Sequence, residues 1–144
     1  KVSIIDDYFT LILYYPSHRI TLTSGMMFMT ESPGYKIYGT KGCFIKNRSD
    51  VQEADLMAGK KPNSLNWGAE ANEDYGTLYT DMNGIITNKV IPSMPGNYGI
   101  FYEKMANAIL NNVPVPTSAK EGTNIIRVLE AARNSAFNKR VVGV

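Results

Sequence analysis

From Tyr8 onward apolar and polar side chains alternate. Phe9, Leu11, Leu13 and Tyr15 fall on one face; Tyr8, Thr10, Ile12 and Tyr14 fall on the other. A period of two predicts a strand. "PSH" (Pro16, Ser17, His18) is a turn signal. A second strand follows over residues 19–28, with Ile20, Leu22, Met26 and Phe28 opposite Arg19, Thr21 and Thr23. The predicted hairpin has one apolar face and one of intermediate polarity. The second face is too apolar for plain solvent and too polar for a core. Tyr and Arg at that level of polarity are what subunit interfaces carry.

"GYKIYGTKGCFIKN" predicts two short strands around the turn at Gly39 to Gly42. "SDVQEADLMAG" predicts a short helix, capped by Ser49 or by Asp50 with Glu53 three residues on, ending near Gly59. Residues 60–74 form a polar, period-free segment that carries the only tryptophan, and a mobile loop is expected there. "TLYTDMNGIITNKVI" reads as a hairpin turning at Asn83–Gly84. The period then changes. Phe101, Met105, Ala108 and Ile109 recur at helical spacing over residues 97–112, and "NNVPVP" stops that helix. Ser118 and Glu121 make a capping box. Ala119, Gly122, Ile125, Ile126, Leu129, Ala132 and Ala136 then share one face of a helix ending near Lys139, and "RVVGV" reads as a closing strand.

Strands first and helices last predict an α+β domain. The expected architecture is a single, largely antiparallel (mixed) open sheet of about six strands, with helices packed on one face. The other face is then available for dimerisation. The chain, residues 1–144, reads as one domain without internal repeats.

Composition removes several classes of function. Fifteen Lys and Arg against thirteen Asp and Glu leave a net charge of +2, with no basic run longer than two, so nothing reads as a nucleic-acid surface. No apolar run reaches the length of a membrane span. The single cysteine, Cys43, excludes an internal disulfide, reads as a small buried residue and suits a reducing, cytoplasmic setting. With one cysteine and one histidine a soft-ligand metal site is not expected, and His18 reads as a surface turn residue. "GTKG" is not a phosphate loop: "CFIKN" follows, which is strand-like, where a phosphate cradle needs a helix start. No G-x-G-x-x-G occurs, and no nucleophile elbow. The residues alone predict no complete active site, so the catalytic, metal and cofactor-binding sets are all empty.

"YKIYGTKGCFIK" resembles the sheet hairpin of the Gfo/Idh/MocA oxidoreductases. "PSMPGNYGIFYEKMANAILNNVPVPTSAKEGTNIIRVLEAARNSAFNKRVVGV" is similar to that family's closing segment. "QEADLMAGKKP…WG" and "GTLYTDMNG" resemble its bacterial sugar or polyol dehydrogenase branch. The resemblance implies a two-domain NAD(P)-dependent dehydrogenase. An N-terminal Rossmann domain of the same polypeptide would hold NAD or NADP and supply the catalytic lysine. The family's Asp and His pair would precede the first residue here. This chain would then be the C-terminal substrate-binding and dimerisation domain, inactive on its own and associating through its open sheet. Small departures stand at the chain end, where Lys139–Arg140 and Gly143 replace more usual residues.

The same resemblance places Asn97, Tyr98 and Tyr102 at the start of the last-but-one helix, toward a cleft for a sugar or polyol. It places Trp67, on its loop, where it would stack on a sugar ring near the mouth of that cleft. Packing competes as the role of Tyr102, and cover of a sheet edge as that of Trp67. The alternative to an enzyme domain is a stand-alone ligand-binding or oligomerisation module without redox activity.

Overall fold

A computed structural model describes residues 7–30, 32–47, 50–62 and 64–144. The elements run β1 (Tyr8–Tyr14), β2 (Arg19–Gly25), β3 (Tyr35–Gly39), β4 (Gly42–Lys46), α1 (Gln52–Met57), β5 (Gly76–Met82), β6 (Ile85–Ile91), α2 (Gly99–Asn111) and α3 (Ala119–Asn138), with a 3-10 turn at Asn72–Asp74. The chain divides into two compact units. One joins Lys1–Glu31 to Thr117–Val144; the other is Ser32–Pro116.

In the first unit β1 and β2 form an antiparallel hairpin. The register sets Leu11 opposite Leu22 and Leu13 opposite Ile20 on one face, as the alternation predicts. The other face pairs Thr10 with Thr23, Ile12 with Thr21 and Tyr14 with Arg19. Its side chains hold one another. The Thr10 and Thr23 hydroxyls lie 3.3 Å apart, the Tyr8 hydroxyl is 3.0 Å from Thr10, and the Arg19 guanidinium sits 5.6 Å from the Tyr14 ring centre. His18 caps the turn, stacked on Tyr15 with ring centres 4.5 Å apart. The helix of this unit, α3, begins at the predicted capping box. The Ser118 hydroxyl accepts from the Glu121 N–H, and the Glu121 carboxylate accepts from the Ser118 N–H at 2.7 Å. The Ser118 N–H, and the Ser118 hydroxyl donating to the same carboxylate at 2.8 Å, hold the Glu121 carboxyl below its ordinary pKa.

The second unit holds a four-stranded antiparallel sheet in the order β3-β4-β5-β6. "GTKG" is the two-residue turn of β3–β4, with Gly39 paired to Gly42, so a strand follows the glycines. Asn83 (φ 58°) and Gly84 (φ 84°) turn β5 into β6 in the left-handed conformation that suits a tight hairpin, and the Asp81 carboxylate accepts from the Gly84 N–H at 2.7 Å. Cys43 is half-buried in β4, opposite Tyr38 and Tyr79.

The α+β class and the open antiparallel arrangement hold, with five corrections of detail. The strands form a two-stranded and a four-stranded sheet where one sheet was expected, because among the described strands no ladder joins β2 to β3. β2 ends at Gly25, so Met26 and Phe28 lie beyond it. Ser49 lies outside the described residues, and the N-cap of α1 is Val51, with no side-chain cap bond; Asp50, one residue earlier, accepts from the N–H of Gln52 and makes no bond to Glu53. Val141–Val144 form no strand, since no described strand pairs with them. Finally, the predicted core faces of the helices stay largely open: Phe101, Ile109, Ile125 and Leu129 are exposed, and of these faces only Ala108 on α2 joins Trp67 as a buried hydrophobic residue among those described.

The cap generates a prediction. Ser118→Ala removes the acceptor for the Glu121 N–H and lowers stability by about 1 kcal/mol in urea unfolding, with an unchanged denaturant slope. An unchanged midpoint contradicts the role given to this box.

Candidate functional site

All parts of the candidate site belong to the second unit. Its centre is Gln52, the first residue of α1 and 2% exposed. A buried carboxamide needs partners for both of its ends. Its oxygen accepts from the Trp67 indole N–H at 3.2 Å and from the Tyr98 backbone N–H at 2.8 Å. Its nitrogen donates to Asp50 Oδ1 at 3.2 Å. Asp50 Oδ2 accepts in turn from the Tyr98 hydroxyl at 3.1 Å. One side chain thus ties three segments that are far apart in sequence: the approach to α1, the Trp67 loop and the first turn of α2.

Two glycines allow the approach. Gly68 has φ 67°, and a Cβ there would lie 1.9 Å from the Gly96 carbonyl oxygen. A Cβ on Gly96 would come within 2.5 Å of Gln52 Nε2. The two backbones are joined by the Gly96 N–H donating to the Gly68 carbonyl at 2.9 Å. The start of α2 is fixed further by Asn97, whose Oδ1 accepts from the Gly99 N–H at 2.8 Å.

Beside this junction lies an ion pair. Lys46, at the end of β4, reaches the Glu70 carboxylate at 2.6 Å and donates to the Asp74 carbonyl at 2.9 Å. Both charged side chains are largely buried. Lys60 pairs with Asp55 at 2.7 Å. The segment expected to be a mobile loop contains no strand or α-helix among its described residues, and three of its side chains, Lys60, Trp67 and Glu70, bond to residues outside it.

The electrostatics are consistent across the pair at the surface. The Gln52 N–H, the Gln52 amide and the Tyr98 hydroxyl lower the Asp50 pKa. Asp50 raises that of Tyr98. At neutral pH the site therefore presents an ionised carboxylate and a neutral phenol whose proton is committed to it. Both face outward as acceptors, which suits a ligand rich in hydroxyl donors.

Of the four residues expected to touch a ligand, the structure joins two directly: Trp67 and Tyr98 share the Gln52 oxygen. Asn97 holds the approach to the same turn by accepting from the Gly99 N–H. Tyr102 lies one helical turn on, 71% exposed, edge-on to Phe101 with ring centres 5.5 Å apart. Trp67 is only 8% exposed, so its ring supports the junction more than it offers an open face. Gln52 and Asp50 escaped sequence reasoning as site residues. A glutamine at the start of a short helix looks like surface, and no local pattern shows that two distant N–H groups converge on it. Among the described residues no group of His, Cys, Asp and Glu forms a metal site, and no helix is long and apolar enough to cross a membrane.

Hydrogen bonds from Lys46 and then Ser93 hold the Glu70 carboxyl below its ordinary value of 4.5. A depressed carboxyl stabilises the fold fully above the unfolded value, and that contribution is lost as the pH falls through the folded one. Glu70→Gln should therefore flatten the acid limb of the stability–pH curve below about pH 4.5. An acid limb identical to wild type contradicts the ion pair's role.

Residues 2–144 match the family described as "Oxidoreductase family, C-terminal alpha/beta domain", the Gfo/Idh/MocA family. The chain is 39% identical over 136 residues to IolW of Bacillus subtilis (strain 168), a scyllo-inositol 2-dehydrogenase (NADP(+)), covering 94% of this chain and 38% of that protein. It is 28% identical to the uncharacterized oxidoreductase YdgJ of Escherichia coli (strain K12), covering 92% of this chain and 38% of that one. In structure it resembles the Bacillus subtilis oxidoreductase yvaA with a TM-score of 0.93 and 37% identity, over 100% of this chain and 43% of the other. A Bacteroides fragilis oxidoreductase follows with a TM-score of 0.87 and 34% identity, over 100% and 44%. The chain thus spans about two fifths of the length of the relatives it matches. Sequence and fold agree along the whole chain, which belongs to the Gfo/Idh/MocA oxidoreductase family and corresponds to its C-terminal alpha/beta domain.

Proposed function

We propose that this chain is the substrate-binding and oligomerisation domain of an NAD(P)-dependent dehydrogenase that oxidises a hydroxyl of a sugar, polyol or related compound. The observation that carries the reading is the 39% identity, over nearly all of the chain, to a protein named as an NADP-dependent scyllo-inositol dehydrogenase. The outward-facing acceptors of Asp50 and Tyr98 agree with a polyhydroxylated ligand. The described residues do not fit the cofactor itself. Its diphosphate calls for a glycine turn from strand into helix, and the glycine turn here runs from strand into strand. NAD or NADP is accordingly assigned to an N-terminal Rossmann domain of the same polypeptide, and no chemical step is assigned to residues of this chain. Its own part is to bind and orient the substrate: Tyr98 and Asp50 by hydrogen bonds, Asn97 by holding the first turn of α2, Trp67 by supporting that turn, and Tyr102 from one turn further on. The cytoplasm is the compartment that suits the single free thiol.

The second role is association through an open sheet face. Tyr8, Thr10, Ile12 and Tyr14, with Arg19, Thr21 and Thr23, present one continuous surface on the β1–β2 hairpin, and Ile12 at its centre is 42% exposed. A two-fold contact would cover this face with its own copy.

Assay of the full-length protein with NAD+ and NADP+ against scyllo-inositol and a panel of polyols and sugars tests the first role. Reduced nicotinamide should form with at least one of them, and silence across the panel with both cofactors contradicts the reading. The 144-residue chain alone should give no saturable heat on titration with either cofactor; micromolar binding would move the cofactor site into this domain. For the second role, sedimentation equilibrium should show a self-associating wild type and a folded Ile12→Glu variant shifted to monomer, because the contact would desolvate the new charge. A wild type that stays monomeric defeats it.

A further inference from the structure

The Gln52 carboxamide cannot be turned round. Both partners of its oxygen, Trp67 Nε1 and the Tyr98 N–H, are donors only, and the partner of its nitrogen is a carboxylate. Reversal would set N–H against N–H and oxygen against oxygen. The side chain is also closed in: it is 2% exposed, with the Gly96 backbone packed against its amide. Every polar atom is used, and each use fixes a different segment. This arrangement does more than hold the approach to α1, which the Asp50 carboxylate on the Gln52 N–H already turns.

We propose that Gln52 is the positioning residue of the site. Its single buried carboxamide sets the Trp67 indole, the first turn of α2 and the Asp50 carboxylate in register, so that Tyr98 and Asp50 stand in place before a ligand arrives. The inference rests on the reading of Tyr98 and Trp67 as substrate-side residues. It adds to that reading which residue holds them and by which atoms. Preorganisation of this kind lowers the cost of binding without touching the reacting atoms, so its loss falls on KM more than on kcat.

Gln52→Glu tests this by pH. The new side chain has the same shape. Protonated, its O–H donates to Asp50 Oδ1 while its carbonyl oxygen accepts both N–H groups, as the amide does. Ionised, it sets two carboxylates face to face, which raises the pKa of the pair. The other charged or titratable groups around it are Glu53 on α1, Tyr98 on α2, and Glu70, whose charge is already met by Lys46. Gln52→Met keeps the bulk and removes every hydrogen bond at both pH values.

The readout is NMR hydrogen exchange of the full-length protein, expressed as protection relative to the intrinsic rate, for the Trp67 indole N–H and the Tyr98 amide. The indole resonance is assigned through Trp67→Phe. In Gln52→Glu, protection of both should match wild type within about twofold near pH 5 and fall about tenfold or more near pH 8, the size of one buried group losing its partner. In Gln52→Met it should be low at both. The ratio of variant to wild-type KM for a polyol substrate should follow the same course, near one in acid and raised in base, with the kcat ratio steady. Wild-type protection in Gln52→Glu near pH 8, or in Gln52→Met, overturns the proposal. Lost protection with a flat KM ratio also overturns the positioning role, leaving polyol oxidation standing. A wild type that turns over no polyol sinks the function proposed above, and the exchange data then decide on Gln52 by themselves.

Discussion

A buried amide whose oxygen and nitrogen are both held by hydrogen bonds is the constraint on which the candidate site in the second unit depends. Gln52 is buried, where an unpaired polar atom is costly, and both partners of its amide oxygen come from distant segments while its nitrogen holds the neighbouring Asp50. Losing one of them strands the rest. The Trp67 loop, the Gly68–Gly96 contact and the first turn of α2 therefore form one cooperative arrangement. The outward pair, Asp50 and Tyr98, is its exposed edge. Order in the buried part and acceptor chemistry at the edge follow from the same set of atoms.

Elsewhere in the chain the balance is different. Apolar side chains on α3, on both faces of the β1–β2 hairpin and on the edge strands β3 and β6 stay open. Exposure on that scale exceeds the scattered apolar surface of a typical soluble monomer, which is the ground for the association proposed above. The β1–β2 face, with its threonine ladder and its arginine over tyrosine, has the mixed chemistry of a contact that tolerates water as well as burial.

What the sequence made legible follows the range of the interactions. The Ser118–Glu121 box, the Asn83–Gly84 turn and the strand alternation around Leu11 and Leu22 are decided within a few residues, and they stand where the pattern puts them. The glycine turn at residues 39–42 was legible for the same reason: the apolar alternation after it rules out a helix start. The division of the strands into two sheets was not, because alternation fixes a strand's faces and not its neighbours. The site was half legible. Family likeness singled out Trp67 and Tyr98, but the residue between them is 15 positions from one, by the sequence separation of their hydrogen bond, and 46 from the other. Its role exists only after the chain has folded. Only the flanking Gly68 and Gly96 leave a trace of it in the sequence, as points where two backbones come too close for a side chain.

The central claim is that the edge built on Gln52 is one wall of the substrate site. The most direct test is a crystal structure of the full-length protein with its oxidised cofactor and a non-reacting polyol analogue. The account predicts analogue hydroxyls within about 3 Å of the Tyr98 hydroxyl or the Asp50 carboxylate, with the Trp67 indole still bonded to Gln52. An analogue bound at full occupancy elsewhere, with Tyr98 and Asp50 open to solvent, would contradict it.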